Sequence, residues 1–345
     1  MARSHGRDML GEMPDPMELP ARSAPTLDAV AKRAGVSPIT VSRVVRQPGI
    51  VSDDTRLRVE AAMRELGYVP NMVAGSLASA RTRSVGVLVP TIANSIFADT
   101  VQGLSEVLEP LGFTVILAQS GYDDAREEKM LAALLSRRPE AVIMVGAPAT
   151  AAGAEMLRRA RIPVVETWEL PAAPIDAAAG FDNYAAGIEV AGYFAKAGRR
   201  RLAFVGGDDR RAEQRWLGFV EAARGAGLDE PQRVLIARGA GPGAATVVLT
   251  EAPDADAVFA ANDAYAIALL SAMRRADLLG PAGSPQPVAV VGLGDLEMGR
   301  LFAPAVSTIR VHGVAIGRTA AELALDPTRP RRVDLGFELV LRESG

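Results

Sequence analysis

The stretch AGVSPITVSRVV, Ala34–Val45, gathers its valines on one side of a short helix and its polar groups on the other. Val41, Val44 and Val45 form one stripe at helical spacing, and Ile39, Ser42, Arg43 and Arg46 form the opposite one. Ser37 is placed to cap this helix, with Pro38 at its first position, where a missing N–H costs nothing. Upstream, Leu27, Val30, Ala31 and Ala34 make one apolar stripe, with Thr26 as its cap and Gly35 as its end. Downstream, a third helix is expected from Ser52, with Asp53 and Asp54 in its first turn, where carboxylates suit the helix dipole. Its apolar face is Val59, Ala62, Met63 and Leu66, and Gly67 closes it. Two short helices around a glycine turn and a third behind them fit a helix-turn-helix. By periodicity alone they fit any small three-helix bundle equally well.

Charge points to what this head does. The 345-residue chain carries a net charge of −3, yet residues 25–83 hold nine Lys/Arg against five acids. A basic head on an acidic body is the asymmetry of a nucleic-acid reader joined to something else. Half of the composition is apolar, enough for the cores of two or three domains. There is no cysteine, which excludes disulfides and thiolate chemistry, and two histidines make a His-based triad or metal site improbable. Residues 1–24 have no apolar signal-peptide core and are expected to be a disordered leader. No run long enough to span a membrane appears, so the chain is expected to be cytoplasmic, with no membrane partner, cofactor or metal.

From Ser84 onward, short apolar runs such as SVGVLVP, FTVILA, AVIMVG and IPVVE alternate with helical segments. That alternation predicts a parallel sheet covered on both faces. The rhythm restarts at DAAAGF and runs through RLAFVG, RVLIA, ADAVFAAN and VAVVGLGD, implying two α/β lobes with a cleft between them. Ligands of such sheets bind beyond the carboxyl ends of strands. Tyr122, Asn262, Asp263 and Asp295 are placed to reach that region. The glycines of ARGAGPGAAT do not have dinucleotide-binding spacing, and Pro242 interrupts them, so a surface loop is the plainer reading.

The run LDAVAKRAGVSPITVSRVVRQPGIVSDDTRLRVEAAMRELGYVPNMVAGSLA closely resembles the DNA-binding head of the LacI/GalR family of bacterial regulators. The resemblance implies a helix-turn-helix domain over residues 25–71, a hinge helix or linker over 72–83, and a two-lobed periplasmic-binding-protein-like α/β body over 84–345. By the same resemblance Ser37 and Thr40 hold phosphates of double-stranded operator DNA. Pro38 and Ile39 stand at the variable recognition positions, with Ser42 and Asn71 among the DNA contacts. Arg43 reads a base edge, and Leu77 wedges into the minor groove. Phosphate contacts set register, whereas an arginine can grip guanine with two hydrogen bonds. The family also implies a homodimer. The last twenty residues show no leucine heptads, so the tetramer-forming tail of some relatives is not expected.

Within the body, Arg215 matches the family's effector-contacting arginine, Phe97 a wall of the first lobe, and Glu166 or Glu169 an acidic effector contact. Many relatives carry aspartate where this chain has Gly294, which argues against an ordinary cyclic sugar. The wording GLGDLEMG, AGFDNYAAG and IPVVETWE looks most like the gluconate-utilisation repressors, which implies a small sugar-acid effector. The alternatives are a regulator responding to another sugar or metabolite, or a small-molecule-binding transport protein. The latter would have no use for the basic head.

Overall fold

The computed structural model of the chain describes residues 25–69, 82–92, 95–238, 240–281, 284 and 286–345. The expected leader, Asn71, Leu77 and most of the expected hinge lie outside the described residues. The chain divides into two compact units, Met1–Ala80 and Arg81–Gly345.

In the first unit, α1 (Leu27–Ala34), α2 (Pro38–Arg46) and α3 (Asp53–Leu66) enclose a core of Val30, Ala31, Ala34, Val41, Val44, Val59 and Ala62. The local signals act as expected. Thr26 accepts from the Ala29 amide at 3.2 Å, Ser37 accepts from that of Thr40 at 3.2 Å, and Gly35 and Gly67 end their helices in the left-handed region. Ser52 stands at the N-cap of α3 without a side-chain bond to its backbone.

The second unit holds two six-stranded sheets. The first lobe begins with β1 (Ser84–Val89), α4 (Ala98–Leu108), β2 (Thr114–Gln119), α5 (Asp124–Ser136) and β3 (Ala141–Val145). It continues with α6 (Ala151–Ala160), β4 (Val164–Thr167) and β5 (Ala177–Gly180). The second lobe runs through α7 (Asn183–Lys196), β6 (Leu202–Gly206), α8 (Arg210–Gly225), β7 (Gln232–Leu235), α9 (Val248–Glu251) and β8 (Ala257–Ala260). It then adds α10 (Asp263–Arg275), β9 (Ala289–Leu293), α11 (Glu297–Leu301) and β10 (Ser307–Arg310). Finally α12 (Gly313–Leu325) and β11 (Arg332–Asp334) return to the first lobe, and β12 (Glu338–Val340) returns to the second.

The sheet orders are β11-β5-β4-β3-β1-β2 and β12-β10-β9-β8-β6-β7, all parallel except β12 against β10. Successive residues of a central strand feed opposite faces. Val85, Val87 and Val89 join one core, and Leu88 joins the other with Leu131, Leu134 and Leu157. The second half begins one strand later than the sequence rhythm suggests, because DAAAGF joins the first sheet as β5, between β4 and β11. Chain segments pass between lobes after β5, after β10 and after β11.

Each lobe contains one helix pair in backbone contact. On α7 and α8, a Cβ added at Gly187 would stand 2.0 Å from the Arg215 carbonyl oxygen, and one at Gly218 would stand 2.0 Å from that of Tyr184. On α4 and α12, Gly103 and Gly317 meet the carbonyls of Val314 and Thr100 at 2.2 and 2.1 Å by the same construction. Only glycine permits these separations.

Candidate DNA-reading face and ligand cleft

On the head, α2 turns Val41 and Val44 inward and leaves Pro38, Ile39 and Arg43 exposed. Ile39 is 66% exposed, a costly placement for an isoleucine unless something apolar covers it. The Ser37 and Thr40 hydroxyls lie 2.9 Å apart at the start of α2, whose first turn carries no acid. Its positive dipole end is thus unopposed, the electrostatics that suit a phosphate. Ser42 is half-buried, and Arg43 holds no ion pair among the described residues. Asn71 and Leu77 lie outside the described residues.

In the body, a cavity of about 670 Å³ opens between the lobes. Of the residues expected from sequence, Phe97, Tyr122, Arg215 and Asn262 line it. Arg215, buried on α8, donates through Nη1 to Asn183 Oδ1 and through Nη2 to the Ala261 carbonyl at 3.4 Å. Asn183 in turn donates to the Trp168 carbonyl at 2.9 Å, which ties this arginine to the first lobe beside a crossover. Burial pulls Arg215 down to about 10, with Asp209 opposing and Arg211 assisting, so it remains a cation at neutral pH. Asn262 caps α10 by accepting from the Tyr265 amide at 3.0 Å, so its NH2 group is what it offers the cavity. Phe97 meets Trp168 edge-on at 5.1 Å, and Trp168 continues to Phe181 and Phe337 at successive centroid spacings of 6.2 and 6.1 Å.

The other expected contacts lie off the cavity wall, each engaged in another way. Glu166 is buried on β4, where one oxygen accepts from the Ile175 amide at 2.9 Å and the other meets no partner. Glu169 accepts from the Ala147 amide at 2.5 Å and faces Arg210 of the second lobe at 3.9 Å. Asp263 turns inward to Thr308 Oγ1 at 2.6 Å and the Leu296 amide at 2.7 Å; burial raises its carboxyl to about 6. Asp295 is saturated by Arg300, Arg310 and Arg342 at 2.8, 2.7 and 2.5 Å. Burial works upward on its carboxyl, but the three guanidinium groups outweigh it and hold the carboxyl below the usual range. An acid at a strand end can face the cleft or the core, and here partners brought up by the fold decide the matter: amides and Thr308 for Glu166 and Asp263, three arginines for Asp295.

The cavity also holds groups the sequence reading missed. Arg211 stands one turn before Arg215 on the same helix, and its guanidinium carbon lies 5.5 Å from the Phe97 ring centroid. The four-residue spacing from Arg215 is the signal that could have found it. Asp209 caps α8 and faces Arg211 Nε at 3.5 Å; burial pushes its carboxyl up, but Arg211 and Arg215 prevail and hold it low. Arg238 donates to Asp208 at 2.8 Å within its lobe, and across the cleft to Asp124 at 2.9 Å and the Tyr122 carbonyl at 3.1 Å. Gly294 adopts φ +129°, and a Cβ there would lie 3.1 Å from Ile96 of the opposite lobe. The missing aspartate thus has a backbone reason as well as a chemical one.

Among the described residues, no helix is long and apolar enough to cross a membrane, and no group of three His, Cys, Asp or Glu is arranged to hold a metal ion. The fold and sites define a protein with a helix-turn-helix head and a two-lobed ligand-binding body. Residues 26–71 match the model of bacterial regulatory proteins of the lacI family, and residues 191–345 match that of a periplasmic binding protein-like domain. The chain is 37% identical to the HTH-type transcriptional regulator GntR of Pseudomonas aeruginosa, over 93% of this chain and 95% of that one. It is 30% identical to the regulator GntR of Escherichia coli K12, over 92% and 98%. A solved LacI-family regulator from Silicibacter pomeroyi superposes with a TM-score of 0.83 at 34% identity, covering 92% of this chain and 98% of that one. The chain belongs to the LacI family; it is a DNA-binding transcriptional regulator, not an enzyme.

Proposed function

We propose that this regulator represses genes of carbohydrate catabolism as a homodimer and is controlled by a small sugar acid such as gluconate. Two heads then meet two half-sites of a near-palindrome, with Arg43 reading a base in each. Charge on the cavity wall is the observation that carries the effector reading. Three arginines, Arg211, Arg215 and Arg238, line the cavity with two aspartates, Asp208 and Asp209. Arg238 pairs with Asp208 and Arg211 with Asp209, which leaves Arg215 with no carboxylate of its own. A ligand carboxylate supplies that partner, while the Asn262 NH2 group donates to a hydroxyl. The resemblance to gluconate-utilisation repressors supports the same class.

Ligand bridging both lobes favours one interlobe arrangement and lowers operator affinity by as much as it distinguishes the two states, about 1–3 kcal/mol. Calorimetric titration with gluconate and glucose tests the reading. Gluconate is expected to bind more tightly and to lose affinity in Arg215→Ala. Tighter glucose binding, or unchanged gluconate binding in that variant, refutes the sugar-acid assignment.

A further inference from the structure

Arg211 Nη1 and Arg215 Nε are buried side-chain nitrogens with no hydrogen-bond partner, and both residues line the cavity. Their remaining geometry differs. Arg215 is fixed by Asn183 and the Ala261 carbonyl, both uncharged, so it is held in place whatever the charge of the ligand. Arg211 has only the loose 3.5 Å contact of its Nε with Asp209, and its head reaches from α8 of the second lobe over the Phe97 ring of the first. Its Nη1 lies 3.9 Å from where a Cβ on Gly146, at the end of β3, would stand. A buried guanidinium nitrogen without an acceptor is destabilising, and a ligand anion relieves that cost where a neutral ligand does not.

We propose that Arg211 is the residue by which the cleft selects a carboxylate over a neutral polyol, its Nη1 and the Nε of Arg215 together donating to one ligand carboxylate across the lobe boundary. The inference rests on the sugar-acid reading above and adds to it a second guanidinium, held against an aromatic wall of the other lobe. Arg215 orients the ligand, and Arg211 sets the preference for charge. Because Arg211 spans the lobes, the same contact draws them together around an anion.

The test compares gluconate with gluconamide, its neutral counterpart, by calorimetric titration of the full-length protein and its Arg211→Gln and Arg211→Lys variants. The parent is expected to prefer gluconate. Arg211→Gln should lose roughly 10- to 100-fold in gluconate affinity, the cost of one charge-assisted contact, and change gluconamide affinity by less than about threefold. Arg211→Lys, which keeps the charge without the fork, should fall between them. A parent that does not distinguish the two ligands overturns the sugar-acid reading and this assignment with it. A parent that prefers gluconate, with the preference intact in Arg211→Gln, overturns the role of Arg211 alone. Equal losses for both ligands in the two variants reduce Arg211 to a structural residue and also overturn it.

Discussion

Replacing Glu166 by glutamine isolates the contribution of one buried carboxyl to stability. Burial raises this group from 4.5 to about 7; the Ile175 amide opposes the rise, Glu169 adds to it, and Arg210 and Arg158 oppose it. Its second oxygen has no partner, so the ionised form is stranded and the protonated form is preferred. Between pH 4.5 and 7 the folded state therefore holds a proton that the unfolded chain has released. Unfolding free energy falls with pH wherever the native state binds more protons, so the contribution is intact below 4.5 and lost by about 7. A shift of this size corresponds to at most about 3 kcal/mol. Glutamine keeps an acceptor for Ile175 and places an uncharged amide where the second oxygen was, an offset that does not vary with pH. Urea unfolding of parent and Glu166→Gln at pH 5, 6, 7 and 8, followed by tryptophan fluorescence, gives the comparison. The variant should gain on the parent as pH rises to about 7 and level off above it, with gluconate affinity at pH 6 within about twofold, because Glu166 stands off the cavity wall. A stability difference constant across that range, or one that shrinks with pH, refutes the argument.

Two further outcomes follow from geometry. Arg43→Ala should lose discrimination at one base pair per half-site, worth about 1–3 kcal/mol; footprints of parent and variant with identical site preference refute the assignment. Gly187→Ala pushes a methyl against the Arg215 carbonyl, an overpacking that costs about 1–3 kcal/mol and lowers Tm by roughly 2–4 °C per kcal/mol. It should also weaken gluconate binding by moving α8, and a variant melting within a degree of the parent shows that the crossing has slack.

The head was legible because its determinants are local: a capping serine, a proline at N1, glycine ends and a valine stripe all lie within reach of the helices they shape. The alternation of strands and helices in the body was legible for the same reason. Four elements escaped: α9, α11, β10 and α12. β10 reads STIR, and its Ser307 and Thr308 are buried while hydrogen bonded to Arg342 and Asp263. The helix α12 packs through glycine and alanine, residues that leave a weak apolar stripe. In the cleft, Arg215 and Phe97 were found by resemblance, and Tyr122 and Asn262 by their place after strands. Glu166 came from resemblance and Asp263 and Asp295 from their place after strands; all three sit off the wall, because partners at positions 175, 308, 300, 310 and 342 reach them only in the folded chain.

Where α7 crosses α8, spacing is set by carbonyl oxygen against glycine α-carbon, with no side chain between. The frame that carries Arg215 is therefore indifferent to which residues paper the rest of the cavity. Exchanges at Tyr122, Arg211 or Asn262 change the cavity lining without touching the glycine–carbonyl spacing of this crossing. Tolerance to substitution should divide accordingly: the glycines are held still by sterics, while most wall positions carry no such constraint. A body built this way can have its cavity relined by single substitutions while the crossing that carries Arg215 keeps its spacing.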